Sequence, residues 1–257
     1  MIPLTQSLIP ALISVGVISL ISLVGVIALA WKELFLRRIL FILVSVAAGA
    51  LFGDAFIHLV PEAYEEIADP LLVSGLILGG ILTFFALEKF LRWHHTHGDD
   101  ELDAQTHARV HPLGHLVLAS DGLHNLVDGI AIGAAFLVSI EAGIATTIAI
   151  ALHEIPQEIG DFALLVHAGF SRRKALFLNF ASALFAFIGV GLAFWIGAYF
   201  ENAAPLIAAF AAGNFIYIAG SDLVPELHKT TEGRRSFVQF VAIVFGLLVM
   251  VALLALE

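Results

Sequence analysis

Residues 120–165 read SDGLHNLVDGIAIGAAFLVSIEAGIATTIAIALHEIPQEIGDFALL, and this stretch decides the fold. It comprises two apolar segments that are each long enough to cross a bilayer. Acidic, imidazole and amide side chains occupy their centres, in Asp-Gly-Leu-His-Asn-Leu-Val-Asp (121–128) and His-Glu-Ile-Pro-Gln-Glu-Ile-Gly-Asp (153–161). Ionisable groups at membrane depth are costly and usually line a pathway or a site. Because neither segment contains Lys or Arg, the carboxylates must be neutralised by protons or by a bound cation.

The whole chain has the composition of a polytopic membrane protein. Of its 257 residues, 60% are hydrophobic and only 13% are charged, which is far from the balance of a soluble domain. Apolar runs of about 20 residues predict an all-α protein with eight transmembrane helices. Residues 1–257 are therefore expected to form a single transmembrane domain, whose first span is retained rather than cleaved. The predicted spans are about 8–30, 39–62, 71–91, 112–138, 142–168, 175–199, 203–226 and 237–256, with a His-containing cytoplasmic loop at about 92–111.

The basic residues predict the orientation. All 12 Lys and Arg residues fall in loops on one side of the eight-span arrangement, and the opposite loops contain none. Positive charge prefers cytoplasmic loops. Both termini are therefore predicted to lie outside, with the protein in the plasma (inner) membrane.

A short motif occurs twice with opposite orientation. The second span ends His-Leu-Val-Pro-Glu (58–62), and the seventh ends Asp-Leu-Val-Pro-Glu (222–226). These two spans run in opposite directions, which is the pattern of an inverted repeat in secondary transporters. Spans one to three would then correspond to spans six to eight, with spans four and five as a central hairpin.

The polar residues of spans four and five are expected to share a site. At 100° per residue, those of span four fall within an arc of roughly 100°, and those of span five within about 140°. The short connection between the spans makes them antiparallel neighbours. Imidazole nitrogen with carboxylate and amide oxygen suits Zn²⁺, Fe²⁺ or Mn²⁺, and the absence of Cys excludes thiolate ligands. The residues are Asp121, His124, Asn125 and Asp128 on span four and His153, Glu154, Gln157, Glu158 and Asp161 on span five.

Two features of these spans concern the backbone. Pro156 removes one helical hydrogen bond and frees the carbonyl of Leu152, so it is expected to open the fifth span beside the site. Gly129 and Gly133 are expected to allow a close approach of another helix.

The same residues also fit three other interpretations. Buried Asn, Asp or His in a span can be purely structural, joining helices by hydrogen bonds. His153-Glu154 resembles the start of a metalloprotease helix, but Gln157 stands where the second His would be required. A proton- or sodium-coupled small-solute transporter could use the same carboxylates for its coupling ion.

At these residues the chain resembles the ZIP family of divalent-metal transporters (Zrt-, Irt-like proteins). The branch it resembles has a fifth span that reads His-Glu-Ile-Pro-His-Glu. The matching segments are SDGLHNLVDGIAIGAAF (120–136) and ALHEIPQEIGDFALL (151–165), with weaker support from GDAFIHLVPEA (53–63) and GSDLVPEL (220–227). The resemblance implies a 3+2+3 arrangement of helices, alternating access and a homodimer. The departure is Gln157, where this branch usually has His.

The resemblance also implies a binuclear metal site on spans four and five. Its principal ligands would be His124, Asp128, His153 and Gln157. Asn125 and Glu154 would belong to the adjacent site, with Asp128 and Gln157 placed to bridge the two. Glu158 would be a metal contact or a proton acceptor.

Further polar residues are candidates for the pathway. Asp54 and His58 lie one turn apart on the second span, and Asp222 and Glu226 form the corresponding pair on the seventh. The candidates are Asp54, His58, Asp121, Asp161, Asn179, Asp222 and Glu226.

The sequence therefore predicts an importer that moves a divalent transition metal into the cytoplasm. Zinc is the expected cargo, with iron, manganese and cadmium as further candidates. We expect no catalytic residues, no prosthetic group and no nucleic-acid partner, only the metal ion and the lipid bilayer. Metal binding should weaken as the pH falls through the range in which histidine becomes protonated.

Overall fold

The computed structural model describes residues 4–25, 33–98, 112–200 and 203–256, and within these ranges the regular structure is entirely helical. Eight helices follow one another at the positions of the predicted spans, which confirms the all-α fold class. They are α1 (Leu4–Ile21, with a 3₁₀ turn Ser22–Val24), α2 (Glu33–Gly53, continuing through Asp54–Leu59 and Val60–Glu66), α3 (Pro70–Gly98), α4 (Pro112–Val138), α5 (Ile140–His167), α6 (Arg172–Ala183 and Phe185–Tyr199), α7 (Ala203–Ile218, continuing through Ala219–Leu223 and Val224–His228) and α8 (Gly233–Leu253, with a 3₁₀ turn Leu254–Leu256).

Seven of these helices are long and apolar enough to cross a membrane. The remaining one, α5, is 28 residues long, but the polar residues at its centre lower its hydropathy. It packs against α1, α2, α4 and α6, so its polar face is enclosed by the other helices. The chain is an integral membrane protein.

Some boundaries differ from the prediction. Helix α3 continues to Gly98, so the loop predicted from about residue 92 begins later. Residues 99–111, which hold the rest of that loop, lie outside the described residues, as do residues 26–32 at the end of the first predicted span.

Helices α4 and α5 form a tight central hairpin. Only Ser139 separates them, and its hydroxyl accepts a hydrogen bond from the backbone N–H of Ala142 at 2.9 Å, which caps the start of α5. Helix α4 also contacts α1, α6 and α7, and α5 also contacts α1 and α2. The hairpin therefore lies at the centre of the bundle, where its polar residues are removed from lipid.

Three helix pairs touch at backbone distance through glycines on both partners. A Cβ atom at any of these glycines would lie only 2.0–2.2 Å from a carbonyl oxygen of the facing helix. Small residues of this kind let transmembrane helices approach closely. The pairs are Gly49 with Gly246 (α2 and α8), Gly80 with Gly213 (α3 and α7) and Gly129 with Gly189 (α4 and α6).

The repeated Leu-Val-Pro-Glu motif has the same effect on both helices that contain it. A wide π-helical turn precedes the proline in each, Asp54–Leu59 in α2 and Ala219–Leu223 in α7. Pro61 and Pro225 lack an N–H and would clash with the carbonyl four residues earlier, and a widened turn relieves that clash.

Helix α5 behaves differently at its own proline. The helix runs from Ile140 to His167 without a break, with Pro156 inside it. The expectation that Pro156 opens this helix is therefore wrong. Its neighbours keep α-helical geometry, and the wide turns occur in α2 and α7 instead.

Candidate metal centre

Four buried side chains converge where α4 and α5 face each other. Each contributes one ligand-type atom, and these atoms all lie within 4.8 Å of one another. His124 and Asp128 lie one turn apart on α4, while His153 and Glu154 are consecutive on α5. Helical periodicity places the first two on one face, and the one-residue connection brings α5 alongside.

The distances within this group suit a small divalent cation. The Nε2 atoms of His124 and His153 are 3.2 Å apart. Asp128 Oδ2 lies 3.6 Å from the first nitrogen and 3.3 Å from the second, and Glu154 Oε1 lies 3.4 and 3.5 Å from them. Donors about 2.0–2.2 Å from a tetrahedral ion are separated by about 3.3–3.6 Å. Five of the six distances among the four atoms are thus close to those between the ligands of one tetrahedral metal, and the sixth, between the two carboxylate oxygens, is at most 4.8 Å.

The carboxylates of this group lie near the two imidazole nitrogens, at 3.3–3.6 Å, and have no other donor among the described residues. All four oxygens of Asp128 and Glu154 are buried without a hydrogen-bond partner in the part of the chain that the structure describes. Leaving buried anionic oxygens unsatisfied is costly. A divalent cation would satisfy both carboxylates, and its two charges would balance theirs.

The imidazoles are oriented by their surroundings. His153 Nδ1 lies 3.3 Å from the carbonyl oxygen of Ala149 on the preceding turn, so an Nδ1–H can donate there and leave Nε2 free for a metal. The His124 ring contacts the His153 ring at 5.4 Å between centroids. On its other side, Phe84 of α3 meets it edge to face at 5.8 Å. The His124 side chain is only 11% exposed.

A second group of polar residues lies one to two turns before Asp128 on α4, and its carboxylate, Asp121, is hydrogen-bonded at both oxygens. Asn125 Nδ2 donates to Asp121 Oδ1 at 2.8 Å and to the Asp121 carbonyl at 3.1 Å. The Ser182 hydroxyl of α6 donates to Asp121 Oδ2. Ser182 is not among the site residues predicted from the sequence. Its position three residues after Asn179, on the same face of an apolar helix, is the signal that could have identified it.

Glu158 is held from α6 as well. The Asn179 side chain donates to Glu158 Oε2, while Glu158 Oε1 is buried without a partner among the described residues. Asn179, a predicted pathway residue, therefore faces Glu158 on α5. Gln157 and Asp161 are both half-buried on the same helix.

The two pathway candidates on α2 contact different helices, Asp54 the α5 helix and His58 the α8 helix. Asp54 begins the wide turn and is fully buried, with neither oxygen hydrogen-bonded within the described ranges. It lies against Thr146 of α5, seven residues, or about 10 Å along the helix, before His153. His58 is also buried, and its Nε2 lies 3.0 Å from the Met250 carbonyl of α8.

Of the corresponding residues on α7, Asp222 and Glu226, only the side chain of Glu226 is described. The Asp222 side chain is outside the described part of the chain. Glu226 is exposed at the helix end and pairs with Lys229. The roles of all four pathway candidates on α2 and α7 stay predictions.

Three known proteins to which this chain is similar are named as zinc or metal cation transporters. The chain matches the family described as ZIP Zinc transporter over residues 5–116 and 93–254. It is 32% identical over 312 residues to the Metal cation symporter ZIP14 of Xenopus tropicalis, covering 94% of this chain and 67% of that protein. It is 35% identical over 223 residues to the Zinc transporter ZIP13 of Pongo abelii, covering 81% and 65%. The Zinc transporter YKE4 of Saccharomyces cerevisiae is 31% identical over 239 residues, covering 81% and 69%. The chain thus spans about two thirds of the length of these relatives.

Proposed function

This chain belongs to the ZIP zinc transporter family, and from that premise we propose that it imports a divalent transition metal, zinc first, from outside the membrane into the cytoplasm. The observation that carries the proposal is the cluster of His124, Asp128, His153 and Glu154. Its four ligand atoms lie within 4.8 Å of one another, and its carboxylate oxygens have no hydrogen-bond donor other than the two nearby imidazoles among the described residues. A bound metal ion is the cargo, and these side chains replace part of its hydration shell during passage.

The remaining site residues extend this cluster. Asn125 supplies a neutral carboxamide oxygen next to His124, and Glu158 supplies a carboxylate oxygen held by Asn179. Gln157 lies one turn beyond His153, in the position where the branch has His, and an amide oxygen there is a weaker ligand without a titrating proton. A second metal bridged by Asp128 and Gln157 is therefore bound more weakly than the first.

The pathway runs past further acidic groups. Asp54 receives the metal on the outer side of the cluster, since Thr146 against it belongs to the outer half of α5 when both termini lie outside. Asp161 lies on the inner side, one turn beyond Glu158. His58, Asp222 and Glu226 belong to the two ends of the route.

The arrangement of helices is a 3+2+3 inverted repeat in a single domain. In support of this, the contact between α2 and α8 corresponds to the contact between α7 and α3, and each has glycines on both partners. The wide turns of α2 and α7 correspond in the same way. Such a repeat supports alternating access around the central hairpin. The protein works as a homodimer in the plasma (inner) membrane.

The cargo is defined by the chemistry of the ligands. Two imidazoles and two carboxylates accept Zn²⁺, Fe²⁺, Mn²⁺ and Cd²⁺, and affinity follows the general order of these ions unless geometry intervenes. Tetrahedral spacing favours zinc.

Metal-resolved uptake into proteoliposomes tests this function. We expect the wild type to accumulate Zn²⁺, and the double variant His124→Ala, Asp128→Ala to lose uptake by at least about 100-fold because half of the first coordination sphere is gone. The matched control is Glu141→Ala with His167→Ala, which removes the same kinds of side chain from the two ends of α5. Uptake that survived in the first variant would overturn the assignment. Uptake of an organic solute driven by protons or sodium, without metal, would replace it with a coupled solute transporter.

A further inference from the structure

Asp121 stands apart from the other buried carboxylates of the hairpin because both of its oxygens are already engaged. Oδ1 accepts from Asn125 Nδ2 at 2.8 Å, and Oδ2 accepts from the Ser182 hydroxyl. Its side chain is buried, with 3% of the residue exposed. A carboxylate with a protein donor at each oxygen is compensated at depth without a metal, although lone pairs remain on both oxygens.

The hydrogen bonds that Asn125 donates determine which end of its carboxamide is left without a partner. Its nitrogen reaches two acceptors, the carboxylate and the carbonyl oxygen of Asp121. Its Oδ1 is buried and has no hydrogen-bond partner among the residues described. Asn125 lies next to His124 and one turn before Asp128, so this unpartnered oxygen belongs to the same stretch of α4 as two of the ligands.

Carboxamide orientation matters for a cation. An Asn side chain has an acceptor at one end and two donors at the other. With the nitrogen toward the metal, its partial positive charge would repel the ion. An ionised Asp at 121 accepts hydrogen bonds only, so a reversed Asn125 would put two acceptor oxygens against each other and lose a charge-assisted bond. The aspartate therefore selects the orientation in which the oxygen is free.

Ser182 holds Asp121 in turn. Its hydroxyl has a single proton, and besides Asp121 Oδ2 it has the carbonyls of Leu178 and Asn179 within 3.1 and 2.9 Å. The carboxylate is the strongest of these three acceptors because it carries charge. The hydroxyl thereby connects α6 to the orientation of a residue on α4.

We propose that Asp121 is a positioning residue: held by Ser182, it fixes the Asn125 carboxamide with its oxygen toward the transported metal and does not bind the metal itself. This inference rests on the proposed function, because it assumes that a metal occupies the cluster. Asp121 would then orient a neighbouring side chain, whereas the other acidic residues of the hairpin bind the metal or line its pathway.

A double-mutant cycle on the purified full-length protein tests whether Asp121 acts through Asn125. Zn²⁺ affinity is measured by equilibrium titration, and coordination is followed by the visible absorption of bound Co²⁺. We expect Asp121→Asn and Asn125→Ala each to weaken Zn²⁺ binding about tenfold, the usual effect of losing an outer partner of a ligand. The double variant Asp121→Asn, Asn125→Ala should be no weaker than Asn125→Ala alone, and the Co²⁺ spectra of the two single variants should match.

Exchanging the two side chains provides the rescue. In the variant Asp121→Asn, Asn125→Asp, the hydrogen bond and the total charge are kept, and residue 125 presents an oxygen whichever way it turns. We expect its Zn²⁺ affinity to return to within about threefold of the wild type. A purely structural role of Asp121 does not predict this recovery.

Ser182→Ala provides a milder variant in case Asp121→Asn folds poorly. It should weaken Zn²⁺ binding by about threefold to tenfold, because Asp121 loses one of its two donors. The matched control is Ser19→Ala, which removes another buried hydroxyl that bonds to α6, at the Ala183 carbonyl 3.0 Å away, but does not touch Asp121. Its Zn²⁺ affinity should equal that of the wild type.

The outcomes separate the two hypotheses. A double variant about 100-fold weaker than the wild type, the product of the single effects, would show that Asp121 acts independently and would overturn the inference. Failure of the exchanged pair to recover affinity, or equal effects of Ser182→Ala and Ser19→Ala, would do the same. If the wild type itself bound neither Zn²⁺ nor Co²⁺, the proposed function would fail instead.

Discussion

Two groups of buried carboxylates lie on the same central hairpin and differ in one respect. The oxygens of Asp128 and Glu154 lie 3.3–3.6 Å from two imidazole nitrogens and accept no hydrogen bond from any other described residue. Asp121, two turns before Asp128 on α4, has a donor at each oxygen, from Asn125 and Ser182. Both groups are buried carboxylates, but the partners of the first group are the imidazoles that would share a metal with it, whereas Asp121 has an amide and a hydroxyl of its own.

The difference separates binding from positioning. A carboxylate without donors is stable at depth only when a cation or a proton compensates it. One with two donors is compensated by the protein and can orient its neighbours. The first group should therefore depend on metal for its stability, whereas the second should not.

The largest difference between the two groups of carboxylates should appear in metal transport. Asp128→Asn removes a charged ligand, and we expect metal uptake into proteoliposomes to fall by at least about 100-fold. Asp121→Asn should lower it only about tenfold, because the first coordination sphere keeps its charges. The isosteric change is the same in both variants, so each is the control for the other. Equal losses would mean that the two carboxylates have the same role.

Metal-dependent stability gives the next largest effect. Zn²⁺ at 100 times its Kd should stabilise the wild type by about 2.7 kcal/mol, measured as a shift of the thermal unfolding transition in detergent. His153→Ala should abolish most of this shift, because one of the four ligands is gone. Ser182→Ala should keep the full shift once Zn²⁺ is raised to 100 times its own Kd. A normal shift in His153→Ala would remove this residue from the site.

Stability without metal should differ between the groups. We expect Asp121→Asn to lower the free energy of unfolding by about 1–3 kcal/mol, since two buried donors lose their charged acceptor. Asp128→Asn should lower it less in chelated samples, because this carboxylate has no hydrogen-bond donor beyond the two nearby imidazoles. Both are measured by thermal unfolding with chelator present. A destabilisation by Asp128→Asn as large as that by Asp121→Asn would contradict the comparison.

Gln157→His should have the smallest effect of these variants, and it tests whether residue 157 belongs to the metal-binding group. An imidazole at this position adds a stronger ligand one turn from His153, so Zn²⁺ affinity should rise by up to about tenfold. Binding should also become more dependent on pH in the range of histidine titration. The measurement is Zn²⁺ titration at several pH values, with Gln157→Ala as the control. An unchanged affinity would place residue 157 outside the coordination sphere.

Much of the architecture could be predicted from the sequence. Hydrophobic length and the twelve basic residues define the spans, and helical periodicity brings His124 to the face that carries Asp128. The short connection after Val138 then brings His153 alongside, so the cluster follows from local rules. The resemblance to the ZIP family, drawn from residues 120–136 and 151–165, is confirmed by the family match.

Other features depend on contacts that local patterns do not encode. Asp121 and Asp128 lie on one face of α4, and one of the two donors that distinguish Asp121 depends on the position of α6, because Ser182 is 61 residues away from Asp121 in the chain. Pro156 and Pro61 are equivalent as helix breakers, yet only α2 widens. Sequence rules identify where a proline disturbs a helix but not how the surrounding bundle accommodates it.

The wide turns in α2 and α7 have a geometric consequence. Each contains one residue more than an α-helical turn would, so the helix before it is out of phase with the helix after it. Absorbing that residue into regular α-helix would rotate one part against the other by about 100° and change the length by about 1.5 Å. Asp54, at the first position of the turn in α2, would then move from one side of its helix to another. The two copies of Leu-Val-Pro-Glu therefore fix the angular phase of the helices that flank the hairpin.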